Sequence, residues 1–414
     1  MRPSGRVIIP QHIVAESLSR SVLLLFIGLG ACPQLAGAGQ LRSETRPLPA
    51  PLLPVEVAWE VSLPSLPSAA GALDEARAYL PLETGQLVAL NRETGATEWT
   101  FELEGVRPPV VEDGVLYVAG GNQLHAVSAA TGTRLWHVSL DTSMMAPPVL
   151  RNGTLIALVE PGVVRAFRTK DGQEVWSRML GSTSDRAAMT ADAASVYVSF
   201  GSQLIRLALT DGSLRWERLL PGALTPPTLA GDRVFVGSMD TFYAFHPEKG
   251  RLEWRWRWGG EVVGAVADNR FVYVAAHDNL LRALHRGSGN QVWKRELSTR
   301  TAAPPLTFGG IVVVLGRNPR LSTFDALTGT PIATLSAPAD LRGGLLIDHE
   351  LRPFRVAMVG VTADGKAVGL RPSAMMFREA PLVPLPALPG RMLTRERLST
   401  PNSTPDSRPS TTNR

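Results

Sequence analysis

From residue 54 onward, apolar and polar positions alternate in short runs that come in a fixed order. One set reads LVAL (87–90), LHAV (124–127), VRAF (164–167), IRLAL (205–209), FYAF (242–245), LRAL (281–284), LSTF (321–324) and AVGL (367–370). A second set, richer in valine and tyrosine, lies upstream of it: VLYVAG (115–120), SVYVSF (195–200), RVFVGS (233–238) and FVYVAA (271–276) among others. Period-two alternation of β-branched and aromatic residues predicts strands, and no run has helical spacing. After each of the first seven strands of the first set comes a turn glycine, followed in six of them four residues later by tryptophan. The pairs are Gly95/Trp99, Gly132/Trp136, Gly172/Trp176, Gly212/Trp216, Gly250/Trp254 and Gly289/Trp293; at Gly329 the tryptophan slot holds Ala333. The glycines step by 37, 40, 40, 38, 39 and 40 residues, a period too narrow for chance.

Each unit also has a pair of small or proline residues at its head: Ala70-Gly71, Pro108-Pro109, Pro147-Pro148, Ala187-Ala188, Pro226-Pro227, Gly264-Ala265, Pro304-Pro305 and Gly343-Gly344. A unit of four short strands with a crowded, small-residue entrance predicts one blade of a propeller. Eight units predict an all-β, eight-bladed β-propeller of four-stranded antiparallel blades over 54–373. The turn glycine supplies positive φ between the third and fourth strands, and the tryptophan covers the face of a neighbouring sheet. Ring closure is legible as well. WEVSL (59–63) is an outer strand standing before the first set of inner strands, while the last unit (about 343–347, 354–361 and 366–372) lacks an outer strand. The N-terminal strand is therefore expected to complete the C-terminal blade and leave no open edge.

The segment ALNRETGATEW (89–99) and its counterparts resemble the A-x-D-x-x-T-G-x-x-x-W repeat of the pyrroloquinoline-quinone (PQQ) propeller superfamily, over about 320 of the 414 residues. The glycine and tryptophan positions match. The aspartate slot is degenerate, holding Asn91, Ser128, Arg168, Ala208, His246 and His285, with Asp325 alone true to type. The resemblance implies one of two branches, quinoprotein dehydrogenases or non-enzymatic scaffolds such as the BamB-like outer-membrane lipoproteins of β-barrel assembly. The dehydrogenases hold PQQ against a vicinal disulfide beside calcium. This chain has a single cysteine and lacks the long inter-blade insertions that build such a pocket. The seven histidines have no metal-ligand spacing, and there is neither a phosphate-binding glycine loop nor a nucleophile elbow. The expectation is a scaffold with no catalytic residue, cofactor or metal.

Composition changes the picture at the ends. Residues 54–373 carry 31 Lys+Arg against 32 Asp+Glu, so the sequence pI of about 9.7 arises in the flanks. No basic stripe interleaved with aromatics is present, so nucleic acid is not an expected partner. Residues 1–31 read as a signal peptide whose apolar run, Val22 to Ala31, is too short to span a bilayer. The run ends in Leu29-Gly30-Ala31-Cys32, which resembles a lipobox and makes Cys32 the expected site of lipidation and membrane anchorage; cleavage after Ala38 is the alternative. Residues 32–53 read as a proline-rich tether and 374–414 as a Pro/Ser/Thr-rich disordered tail.

These features together lead to a scaffold anchored by lipid to the outer membrane and facing the periplasm, with the β-barrel assembly machinery as partner. The alternative is a soluble periplasmic or secreted propeller that binds a small molecule, glycan or signalling partner. The run Trp254-Arg255-Trp256-Arg257-Trp258 breaks the repeat. Arg255, Trp256, Arg257 and Trp258 read either as an aromatic–arginine interface patch or as an overpacked blade boundary with solvated arginines. His246 and His285 share one slot in consecutive blades and read as turn donors satisfied within their own blades. Met144-Met145 and the cluster Met375, Met376 and Phe377 read as gap-fillers.

Overall fold

The computed structural model describes residues 55–372 except 182–183, 258, 302, 317–319, 337–340 and 348–354. The expected signal peptide, Cys32, the tether and the tail with Phe377 lie outside the described residues. All elements among the described residues are strands, β1 to β32 in chain order, and they form eight four-stranded antiparallel blades in a ring. Blades 1 to 7 are meanders of consecutive strands, beginning with β2 (Ala72–Leu73), β3 (Arg77–Pro81), β4 (Gln86–Asn91) and β5 (Thr97–Glu102). Blade 8 is built from both ends of the ring. Strand β1 (Val55–Ser62) pairs antiparallel with β32 (Lys366–Pro372), which leads through β31 (Met358–Thr362) to β30 (Leu341–Ile347).

The small-or-proline pairs set where the innermost strand starts. Where the pair is Pro-Pro, the strand begins just after it and has three residues: Val110–Glu112, Val149–Arg151, Thr228–Ala230 and Leu306–Phe308. Proline has no N–H for the ladder, so pairing cannot extend upstream. Where the pair is Ala-Ala, Gly-Ala or Gly-Gly, it lies inside a longer strand: Ala187–Ala191, Val262–Ala267 and Leu341–Ile347. Crowding at this position is real. A Cβ on Gly264 would stand 2.6 Å from the Pro304 ring of the next blade.

The core lies between blades, in clusters that each draw on two neighbouring sheets. At seven joints a tryptophan on the outer strand of one blade donates its indole N–H to a carbonyl of the next, three residues before that blade's turn glycine. The pairs are Trp59–Arg92, Trp99–Ala129, Trp136–Thr169, Trp176–Leu209, Trp216–Pro247, Trp254–Arg286 and Trp293–Ala326, at 2.6–3.1 Å. The spacing of four within a repeat therefore hides the true contact. Gly95 meets Trp59 of the preceding blade, and Trp99 reaches forward to Gly132. The eighth joint explains Ala333. Its partner would be the hairpin turn between the last two strands of blade 8, and those strands, β32 and β1, come from opposite ends of the ring and share no turn. With no turn glycine to cap, the slot holds alanine and the joint is apolar packing of Ala333, Val313, Leu321 and Met358.

Arginine reinforces several joints. Arg178, Arg218 and Arg295, each two residues past its tryptophan, donate to Gly212, Gly250 and Gly329 carbonyls across the joint. Buried Arg92 donates to Val356 of blade 8 and to Asp74 of its own blade. The histidine slots come out opposite to expectation. His246 and His285 do not donate; Nδ1 of each accepts two backbone N–H groups of its turn. Asn91 and Asp325 do the same with a side-chain oxygen. Where the slot holds an acceptor it caps its own turn; Arg168 and Ala208 offer none, and in those turns Asp171 and Asp211 accept the Gln173 and Ser213 N–H groups instead.

Candidate functional site

In a four-stranded meander, the turns between second and third strands and the connections to the next blade emerge on one face of the ring. On that face, where blades 4, 5 and 6 meet, lies a cavity of about 920 Å³. Three segments build it. Strand β19 (Arg233–Ser238) turns through Met239 and Asp240 into β20 (Thr241–Phe245). Strand β21 (Leu252–Arg257) brings in Arg255 and Arg257 and continues to Gly259, Gly260 and Glu261. The connection into blade 4 supplies Arg186, and the one into blade 5 supplies Pro221 and Ala223.

The charges are not balanced. Arg257 donates to Asp240 at 2.8 Å, and this hydrogen bond, with a second from Thr241, holds the Asp240 carboxyl below its ordinary range. Glu261 lies 3.6 Å from His277. Arg186 and Arg255 are exposed and have no ion-pair partner among the described residues. Tyr243 forms a buried wall opposite Arg255 in the ladder. Met239, 60% exposed at the lip, has φ of 52°, a conformation that costs a non-glycine residue roughly 1 kcal/mol. The site therefore offers cationic donors beside a flexible apolar side chain.

The structure separates the members of the Trp-Arg run. Arg255 and Arg257 are exposed and line the cavity. Trp256 is half-buried in the joint with blade 6, opposite Phe242 in the ladder and 5.8 Å beneath the Arg282 guanidinium. It fills the slot that Arg178, Arg218 and Arg295 hold elsewhere. Trp258 lies outside the described residues. Met144 is buried and Met145 packs on the joint of blades 3 and 4. Arg186, Met239 and Asp240 went unnoticed in the sequence because they sit in connections that carry no repeat phase. The adjoining Pro221-Gly222 and Gly259-Gly260 are their nearest sequence trace. Among the described residues, no three His, Cys, Asp or Glu side chains are placed to hold a metal ion.

Fold and repeat define the chain as a PQQ-like β-propeller with a cationic cavity on one rim. A family profile described as "Outer membrane protein assembly factor BamB" matches residues 83–225, 218–303 and 277–373, and the chain belongs to that family. It is 23% identical over 264 residues to the outer membrane protein assembly factor BamB of Moranella endobia, covering 58% of this chain and 68% of the relative. The corresponding protein of Yersinia pestis is 26% identical, with 45% of this chain and about half of the relative (52%) aligned. The crystal structure of BamB from Moraxella catarrhalis superposes with a TM-score of 0.61 at 17% identity, over 77% of this chain and 99% of that one. Similarity extends to an enzyme. The tetrathionate hydrolase of Acidithiobacillus ferrooxidans is 24% identical, over 64% of this chain and 50% of its own length.

Proposed function

We propose that the protein is a non-catalytic, BamB-like scaffold that supports assembly and insertion of outer-membrane β-barrel proteins. In this reading Cys32 carries lipid, the propeller faces the periplasm from the outer membrane, and the rim of blades 4 to 6 docks a polypeptide of the barrel-assembly machinery. Membership in the BamB family over residues 83–373 carries the proposal. The cavity supports it, because unpaired arginines beside an exposed methionine have the composition of a protein-binding patch.

Mild detergent extraction followed by affinity purification of the full chain tests the reading. Barrel-assembly subunits should co-purify with the wild type and be depleted in an Arg186→Glu, Arg255→Glu double variant with an unchanged melt. Recovery of no such subunit with the wild type would refute the function. Equal recovery with the variant would refute the placement of the site. For the enzymatic branch, purified protein mixed with PQQ and calcium should show neither bound quinone absorbance nor dye-linked alcohol oxidation; stoichiometric quinone binding would overturn the scaffold assignment.

A further inference from the structure

A second cavity, of about 610 Å³, opens on the same face where blades 2, 3 and 4 meet. Its floor contains Met144 and Met145, and its charged groups are Glu160, Asp185 and Arg107. None of these three has an ion-pair partner among the described residues, so carboxylates outnumber cations. The larger cavity has the opposite surplus, from Arg186 and Arg255.

One short segment divides the two. Ser184 and Asp185 line the smaller cavity, and Arg186, the next residue, lines the larger one. The segment is pinned. The Ser184 hydroxyl accepts the Arg186 N–H and donates to the Arg186 carbonyl, both at 3.0 Å. That carbonyl also accepts Gly201 N–H at 2.9 Å. Asp185 stands at a bend and lines one cavity while Arg186 lines the other, so this anchorage holds a carboxylate at one and a guanidinium at the other. The polarity of the rim is thus built into a three-residue wall.

Resting on the scaffold reading above, we propose that the two cavities form one composite docking surface for a polypeptide segment with separated charges. An acidic side chain of the partner enters the larger cavity toward Arg186 and Arg255. A lysine or arginine enters the smaller one, its aliphatic stem on Met144 and Met145 and its charge between Glu160 and Asp185. Both volumes fall within the range of ligand pockets. Opposite charges in fixed order exclude the reversed partner segment, so the wall sets orientation as well as attraction.

The test exchanges the wall residues, Asp185→Arg with Arg186→Asp, which leaves composition and net charge unchanged. The probe is a fluorescein-labelled peptide with two aspartates and two arginines flanking a Gly-Ser-Leu spacer, alongside all-acidic and all-basic peptides of equal length. Wild-type protein should bind the bipolar peptide about tenfold more tightly than either control, and the exchange should lose about tenfold. Glu160→Gln with Asp185→Asn provides a second variant if the exchange fails to fold; it should lose preference for the bipolar peptide over the all-acidic one. Equal binding of bipolar and all-acidic peptides by wild type, or undiminished binding by a folded variant, overturns the composite site. Co-purification distinguishes the two levels. Assembly subunits recovered equally by wild type and exchange leave the scaffold function standing without this site. Their absence from wild type defeats the scaffold reading itself.

Discussion

The ring of Trp59 lies directly on Gly95. A Cβ added at residue 95 would stand 2.5 Å from Cε3 of that indole, and the indole N–H donates to the Arg92 carbonyl at 2.7 Å. The first strand is thereby fixed to the blade that follows it as firmly as each later blade is fixed to its successor.

Gly95→Ala should therefore cost more than its backbone conformation alone. Positive φ accounts for roughly 1 kcal/mol, and displacing the indole adds about 1–3 kcal/mol. Gly114 isolates the first contribution, since its φ is also 74° and no atom of the described residues lies within 4 Å of its added Cβ. In urea melts, Gly114→Ala should shift the midpoint slightly and Gly95→Ala strongly. Equal shifts would show that the Trp59 contact contributes nothing.

Removing residues 55–62 opens blade 8 and exposes the edge of β32 while cancelling the Trp59 joint. The truncated protein should lose its cooperative melt and associate at micromolar concentration. Removing 381–414 should leave the melt unchanged. Calorimetry and light scattering check both; an unshifted melt for the first deletion would mean that closure does not depend on β1.

Acid should weaken the joint of blades 1 and 2. His125 is 2% exposed between Phe101 and His137, and neither of its ring nitrogens has a hydrogen-bond partner among the described residues. Burial first, then the charge of Arg134 and the neighbouring His137, push its pKa down to about 4. An unfolded histidine takes its proton near 6.5, so the unfolded chain binds more protons between these values. Stability conferred by neutral His125 is thus complete above about pH 6.5 and declines by up to about 3 kcal/mol as pH falls to about 4. Denaturant melts from pH 7 to 4 should show this slope in wild type and a shallower one in His125→Phe. Parallel profiles would place the acid sensitivity elsewhere.

Lipid attachment at Cys32 predicts that a clickable fatty-acid analogue labels the wild type in cells and spares Cys32→Ser. Labelling of both would remove the anchor and with it the membrane placement.

The architecture was legible because blade strands obey one alternation and the glycine–tryptophan register repeats it. Even the pairing of β1 with β32 follows from an outer strand at one end and its vacancy at the other. What adjacency in sequence concealed was partnership. Gly95 and Trp99 define the register together, yet each packs against another repeat, and Ala333, in a tryptophan slot, marks a turn that blade 8 lacks. The candidate site was legible only in part. Arg255 and Arg257 broke a pattern and could be seen, whereas Arg186 and Met239 lie where there is no pattern to break. Trp256 shows the converse, an irregular residue placed by the packing of one joint.

Closure by β1 also imposes a timetable. Glu56 and Arg371 pair across 315 residues of chain. At usual rates of synthesis, roughly 15–60 s separate the emergence of these two strands. Throughout that interval the backbone groups of β1 that pair with β32 are unsatisfied, and Trp59 and Val61 have only blade 1 to pack on. Contacts this distant also slow folding once the chain is complete. The last blade is consequently a checkpoint on the whole chain: a product that stops short of residue 366 retains an adhesive first strand, which makes it visible to holding factors and proteases.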